Sequence, residues 1–139
     1  MSRTGPILIL EDDHEDQELF RDAFREIGVL NPLVFFHDGV SALEYLQNSE
    51  QPFIIFSDIN LPLMDGFQFR KKISENYEMM KKSIPFIFFT TSSEKAGVEK
   101  AYEMTVQGYF TKGNNFEELK QILQIITSYW SYCKNPNSV

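Results

Sequence analysis

Four groups of polar residues follow apolar runs in this chain, and their types fit one chemistry. Glu11, Asp12 and Asp13 follow Ile7–Leu10, and Asp58 with Ile59-Asn60-Leu61-Pro62 follows Phe53–Ser57. Thr90, Thr91 and Ser92 end the run from Phe86, and Lys112 follows Gly108–Thr111. Carboxylates brought together repel, and at least one is driven neutral unless something positive compensates. A site made of oxygen donors, one backbone carbonyl and several waters suits Mg2+, which keeps much of its hydration shell. A hydroxyl and an ammonium on the far side suit a tetrahedral anion such as a phosphoryl group. In that arrangement Asp58 is the nucleophile. It takes the phosphoryl group as an acyl phosphate while Mg2+ neutralises the developing charge.

These groups meet only if the segments before them lie side by side. Ile7–Leu10, Phe53–Ser57 and Phe86–Thr90 are nearly uninterrupted apolar runs without alternation, as strands read when helices cover both sheet faces. Leu33–His37 and Gly108–Thr111 read as two more strands, the second nearer an edge. Helical stripes fall between them: Leu19, Phe20, Ala23, Phe24 and Ile27; Val40, Leu43 and Leu46; Phe69, Ile73 and Tyr77; Val98, Ala101 and Tyr102; and Phe116, Leu119, Leu123, Ile126 and Trp130. Asp13, Asp38, Asp65 and Asn115 stand where N-caps belong, and Gln68 and Glu118 complete approximate capping boxes. Five strand–helix units predict an α/β protein, a doubly wound (βα)5 open parallel sheet. Such sheets bind ligands beyond the carboxyl ends of their strands, where the polar groups lie.

The composition excludes other classes. At 139 residues with 42% hydrophobic content, including 13 Phe, the chain forms one domain with a proper core. Its 13 basic and 20 acidic residues leave a net charge of −7, which repels nucleic acid and anionic lipid. The single cysteine, Cys133, excludes an intrachain disulfide and fits a reducing cytoplasm. No apolar stretch approaches a membrane span, and the first six residues lack a signal peptide's apolar run. The expectation is a cytoplasmic protein contacting neither nucleic acid nor membrane.

Four motifs carry a family resemblance. Ile-Leu-Glu-Asp-Asp at 9–13 resembles the acidic pair of response-regulator receiver domains, and Ser-Asp-Ile-Asn-Leu-Pro-Leu-Met-Asp-Gly at 57–66 resembles their phosphoacceptor motif. Pro-Phe-Ile-Phe-Phe-Thr-Thr-Ser at 85–92 is similar to their fourth strand and switch hydroxyl, and Gly-Tyr-Phe-Thr-Lys at 108–112 to their last strand and lysine. The match runs from about Pro6 to Tyr132. It implies one receiver domain over 1–139, with a core at about 6–132, no output domain, and the flavodoxin-like strand order 2-1-3-4-5. It implies that Asp58 is phosphorylated, that Asp12 touches Mg2+ directly and Glu11 through water, and that Asn60 lends its backbone carbonyl. Thr90 and Lys112 would hold phosphoryl oxygens, and Tyr109 with Thr90 would form the switch. The implied function is that of a signalling phosphoacceptor rather than an enzyme, with autodephosphorylation. The implied donor is a sensor histidine kinase, and the signal leaves through a downstream protein or phosphotransfer partner. Tyr109-Phe-Thr-Lys-Gly-Asn-Asn-Phe, the helix reaching Tyr129-Trp130, and Asp38-Gly39-Val40-Ser41-Ala42-Leu43 resemble stand-alone regulators paired with cyanobacterial and bacterial phytochrome kinases. One departure stands out. The family places a proline, with a cis bond, after its lysine, and here Gly113 follows Lys112. A cis bond before a non-proline costs about 2.5–4 kcal/mol, so the bond is either trans in a relaxed loop or cis and strained.

Plainer roles compete at several positions. Asp13 and Asp65 fit helix caps better than metal ligands, and Trp130 fits packing better than cofactor contact. His14 and His37 lack ligand spacing and read as solvated, and Cys133 reads as an ordinary thiol. Ser92 stands where it could line the phosphoryl pocket. On the last helix Ile122, Ile125, Tyr129 and Tyr132 form a second apolar side, turned from the first by about 120°. It meets either a neighbouring helix or a protein partner, and the expectation is a homodimer through this helix. A small aspartate-nucleophile phosphatase would need a second acid two residues after Asp58, where Asn60 stands. A receiver that never takes phosphate would not need the complete set of Glu11, Asp12, Asp58, Thr90 and Lys112.

Overall fold

Parallel pairing extends one residue beyond the strands at three places, and this sets the site. Glu11 N–H donates to Phe36 O at 2.9 Å, Asp58 N–H to Leu10 O at 2.9 Å, and Lys112 N–H to Thr90 O at 2.7 Å. In the computed structural model, which describes residues 2–91 and 94–134, a short 3-10 turn at Ser2–Thr4 leads into the first strand. The elements are β1 (Ile7–Leu10), α1 (His14–Glu26), β2 (Leu33–Phe36), α2 (Gly39–Asn48), β3 (Ile54–Ser57), α3 (Gly66–Ser74), α4 (Tyr77–Lys82), β4 (Phe86–Thr90), α5 (Lys95–Glu103), β5 (Gly108–Thr111) and α6 (Phe116–Tyr132). All five strands are parallel, in the order β2-β1-β3-β4-β5. The expected doubly wound fold and strand order are borne out. Ser92 and the tail from 135 to 139 lie outside the described residues.

The continuous apolar runs are explained by the two cores. Side chains alternate across a strand, so Ile7 and Ile9 enter one core with α1 and α6 while Leu8 and Leu10 enter the other with α2 and α3. Burying each is worth about 1.5–3 kcal/mol. On the α1 side, Phe20, Phe56 and Phe89 pack with ring centroids 5.4–6.5 Å apart. Such aromatic pairs add about 0.5–1.5 kcal/mol beyond burial.

The expected N-caps are all present: Asp13, Asp38, Asp65 and Asn115 each accept a backbone N–H of the following turn. The third helical stripe is a different matter. The helix ends at Ser74, Asn76 caps a separate α4 through Met79 N–H, and Tyr77 is 77% exposed. Asn favours caps over helix interiors, so it restarts the helix inside an otherwise continuous period. Leu19 and Val40, also placed on inward stripes, sit at the rim and are substantially exposed. The Lys112–Gly113 bond is trans; the cis bond among the described residues is Ile84–Pro85. Among the described residues no helix is long and apolar enough to cross a membrane.

Candidate functional site

Asp58 follows β3 and is 8% exposed. Its Oδ1 accepts Ile59 N–H at 2.7 Å and Asn60 N–H at 3.4 Å, and its Oδ2 accepts Lys112 Nζ at 3.1 Å. Glu11, at the end of β1, is buried. One of its carboxylate oxygens accepts Lys112 Nζ and the other accepts Asp13 N–H at 3.1 Å. Lys112 also donates to Asp16 Oδ2 at 2.9 Å. An ammonium has three protons, and Lys112 has one carboxylate for each: Glu11 from β1, Asp16 from α1 and Asp58 from β3.

The electrostatics follow from this sharing. Burial disfavours the Lys112 ammonium, but hydrogen bonds to Glu11 and Asp16 and the charges of Asp58 and Glu11 outweigh it and hold its pKa well above the usual lysine value. Burial pushes Glu11 above the ordinary carboxylate value, and Lys112 offsets only part of that. The two shifts are compatible, because the ammonium feels three carboxylates while each carboxylate has a share of one ammonium. The site is short of positive charge.

The remaining predicted residues divide into those that join this cluster and those that flank it. Thr90, at the end of β4, is fully buried, and its hydroxyl has no hydrogen-bond partner among the described residues. A buried hydroxyl left unpaired costs about 1–3 kcal/mol, so this one is poised for an oxygen that the described residues do not supply. Tyr109 on β5 packs edge-on to Phe88 at 6.3 Å. A β-carbon at Gly97 of α5 would lie 3.8 Å from its hydroxyl, so the ring reaches from β5 to α5. Burial and the charges of Asp58 and Glu94 raise its pKa. Asp12, next after Glu11, is exposed, and Asp13 caps α1 by accepting Glu15 N–H at 2.8 Å. His14 and His37 are exposed and meet edge-on, with centroids 5.5 Å apart.

The donor set fits Mg2+ in kind. Glu11, Asp12 and Asp58 offer only hard oxygens, and the under-compensated Glu11 favours a cation nearby. Among the described residues no three His, Cys, Asp or Glu side chains form a ready-made metal cage. Mg2+ needs none, since it binds through one or two carboxylates with water and a phosphate completing its shell.

Sequence reasoning missed Asp16. An acid in the first helical turn is ordinary, because it complements the helix dipole, and only the fold shows that it reaches Lys112. On α6, Leu119, Leu123 and Ile126 are buried, with Trp130 packed against the same core. Ile122 also turns inward, but Ile125 and Tyr129 are 65% and 63% exposed. Together with Ile87, Gln107, Phe110, Ile126 and Trp130 those two line an open groove of about 390 Å³.

The likeness to known proteins extends over nearly the whole chain. A family model described as the response regulator receiver domain matches residues 7–124. Response regulator Rcp1 of Synechocystis sp. is 33% identical over 130 residues, covering 89% of this chain and 87% of its own. The Probable methanogenesis regulatory protein FilR2 of Methanothrix harundinacea is 30% identical over 129 residues, covering 89% and 82%. The phosphorylated cyanobacterial phytochrome response regulator RcpA superposes with a TM-score of 0.85 at 28% identity, covering 95% of this chain and 98% of that one. The Mn(2+)-bound form of response regulator Rcp1 superposes with a TM-score of 0.82 at 31% identity, covering 94% and 98%. With that model spanning residues 7–124 and Glu11, Asp58, Thr90 and Lys112 standing at the carboxyl ends of their strands, the chain belongs to the response regulator receiver domain family.

Proposed function

We propose that this receiver accepts a phosphoryl group from a histidine kinase phosphohistidine onto Asp58, and signals by phosphorylation-dependent contact with a protein or by passing the group on. The observation that carries this reading is the pairing of Asp58 with Lys112 at 3.1 Å, with a Thr90 hydroxyl that has no partner among the described residues. Glu11, Asp12, Asp58 and the Asn60 carbonyl would hold Mg2+, which when bound offsets negative charge on the phosphoryl oxygens. The chain's own residues do the rest. Two backbone N–H groups fix Asp58 Oδ1, so the carboxylate enters the reaction already oriented. The Asp58 carboxylate attacks phosphorus, the phosphorus–nitrogen bond breaks, and the imidazole leaves with the electron pair. The Lys112 N–H that donates to Asp58 Oδ2 turns to a phosphoryl oxygen, the ammonium keeping its proton, and the Thr90 hydroxyl donates a second hydrogen bond.

The same groups make the switch. A new dianion draws Thr90 inward, and Tyr109 follows into the space it leaves. Tyr109 lies between Phe88 and α5, so its movement alters the face formed by α5, β5 and α6. The exposed Ile125 and Tyr129 make that face a site for self-association about a two-fold axis. The relatives named for phytochrome signalling support a phytochrome-type kinase as the phosphoryl source.

The test is intact-mass measurement after incubation with acetyl phosphate, with and without Mg2+, on wild type and Asp58→Asn. One added phosphoryl group on wild type, dependent on Mg2+ and absent from the variant, is the expected result. Equal labelling of the variant overturns the assignment.

A further inference from the structure

The helix start at α1 departs from the usual pattern in a way that bears on Lys112. In a capping box the third helical residue reaches back to the N-cap backbone N–H. α3 does this: Gln68 Oε1 accepts Asp65 N–H at 2.9 Å while Asp65 accepts Gln68 N–H at 2.8 Å. In α1 the cap is Asp13 and the third helical residue is Asp16. Asp13 accepts Asp16 N–H at 3.4 Å, but its own N–H goes to Glu11 at 3.1 Å. Glu11 thus takes the donor that Asp16 would otherwise serve, and the Asp16 carboxylate turns to Lys112 at 2.9 Å. Buried Gln17 donates to Glu11 O at 2.6 Å, tying this turn to β1.

We propose that Asp16 is a positioning residue for the phosphoryl chemistry, holding the Lys112 ammonium from α1 so that it faces Asp58. This rests on the phosphoacceptor reading above and deepens it. Lys112 ends a flexible four-carbon stem, and the Lys112–Gly113 bond after it is trans, without proline's restraint. Glu11 and Asp58 hold the ammonium from two adjacent strands. Asp16 adds an anchor from outside the sheet, and it stays in place when the Asp58 hydrogen bond passes to a phosphoryl oxygen. Its side chain is 32% exposed against 2% for Glu11, so it is replaceable without opening the core.

The experiment uses the full chain as wild type, Asp16→Asn and Asp16→Ala. The first readout is the side-chain 15N ammonium signal of Lys112 without phosphoryl donor, with backbone amide exchange across α1 as control. The second is the uptake rate from acetyl phosphate with Mg2+, over a range of donor concentrations. Asp16→Ala should shorten the lifetime of the Lys112 ammonium protons while α1 amides stay protected. Its maximal uptake rate should fall roughly 10-fold, below the 10²-fold that a 1 Å misplacement can cost, with the donor concentration for half-maximal rate unchanged. Asp16→Asn, which keeps an acceptor, should fall between. An unchanged ammonium signal in Asp16→Ala overturns the proposal, as does an unchanged uptake rate. If wild type itself takes no phosphoryl group, the phosphoacceptor reading fails, and the ammonium signal still decides whether Asp16 holds Lys112.

Discussion

Gly66 lies against the backbone of Asp58: a β-carbon on Gly66 would stand 2.3 Å from the Asp58 carbonyl oxygen and 2.9 Å from Ile59 Cα. Gly66 N–H donates to Ile59 O at 2.8 Å, so α3 begins in contact with the segment that carries Asp58. Both clashes are with backbone, which cannot rotate away.

Gly66→Ala should therefore lower stability by about 1–3 kcal/mol, as overpacking does, and slow phosphoryl uptake by displacing Asp58. Chemical denaturation and uptake rate check it together. Wild-type stability and rate in the variant would mean that the loop yields at no cost.

Asp12 and Asp13 should separate cleanly. Asp13→Ala removes an N-cap, with an expected loss of about 1 kcal/mol and little change in Mg2+ affinity. Asp12 is exposed and caps no described helix, so Asp12→Ala should weaken Mg2+ binding and uptake while leaving stability nearly unchanged. Calorimetric Mg2+ titration and thermal unfolding of both variants make the comparison. Equal loss of affinity in the two would put the metal ligands one residue out of register.

Tyr109 gives a pH signature. Its pKa is raised above 10.0 by burial and by Asp58 and Glu94. The folded chain therefore keeps this proton after the unfolded chain has lost it. The contribution to stability is complete below pH 10 and disappears as pH rises through the raised value. Wild type should lose stability faster than Tyr109→Phe above pH 10, measured by urea unfolding at a series of pH values. Parallel pH profiles would contradict it.

Self-association should depend on the exposed side of α6. Ile125 and Tyr129 left in water forgo burial worth about 1.5–3 kcal/mol each when complete. The net charge of −7 per chain opposes pairing, but only over about 8–10 Å at physiological salt. Sedimentation at micromolar concentration should show a wild-type dimer and a monomeric Ile125→Glu, Tyr129→Glu double variant. A wild-type monomer with and without a phosphoryl mimic ends the dimer reading. A double variant that pairs as well as wild type moves the interface elsewhere.

The strands and their order were legible because helices cover both faces, leaving runs such as Ile7–Leu10 and Phe86–Thr90 without alternation. The caps were legible because Asp13, Asp38, Asp65 and Asn115 each precede a helical period. The break between α3 and α4 was not, since Asn76 falls inside a spacing that Tyr77 completes by coincidence. Ile122 read as part of an outer stripe, yet it packs against the core that α1 and α6 share. Asp16 was hidden for a different reason. Its sequence position fits a helix start, and its contact with Lys112 joins residues 96 apart in the chain. The convergence of Glu11, Asp58 and Lys112 could be expected from the carboxyl ends of their strands, whereas the fully paired ammonium, and a Thr90 hydroxyl with no partner among the described residues, belong to the fold alone.

The central claim is that Asp58 accepts phosphoryl groups from a phosphorus–nitrogen bond, and phosphoramidate presents that bond in its smallest form. Intact-mass measurement should follow wild type and Asp58→Asn incubated with phosphoramidate and Mg2+, with a chelated control. The account predicts one added phosphoryl group on wild type, lost on chelation and absent from Asp58→Asn. Unmodified wild type, or a variant labelled to the same extent, would contradict it.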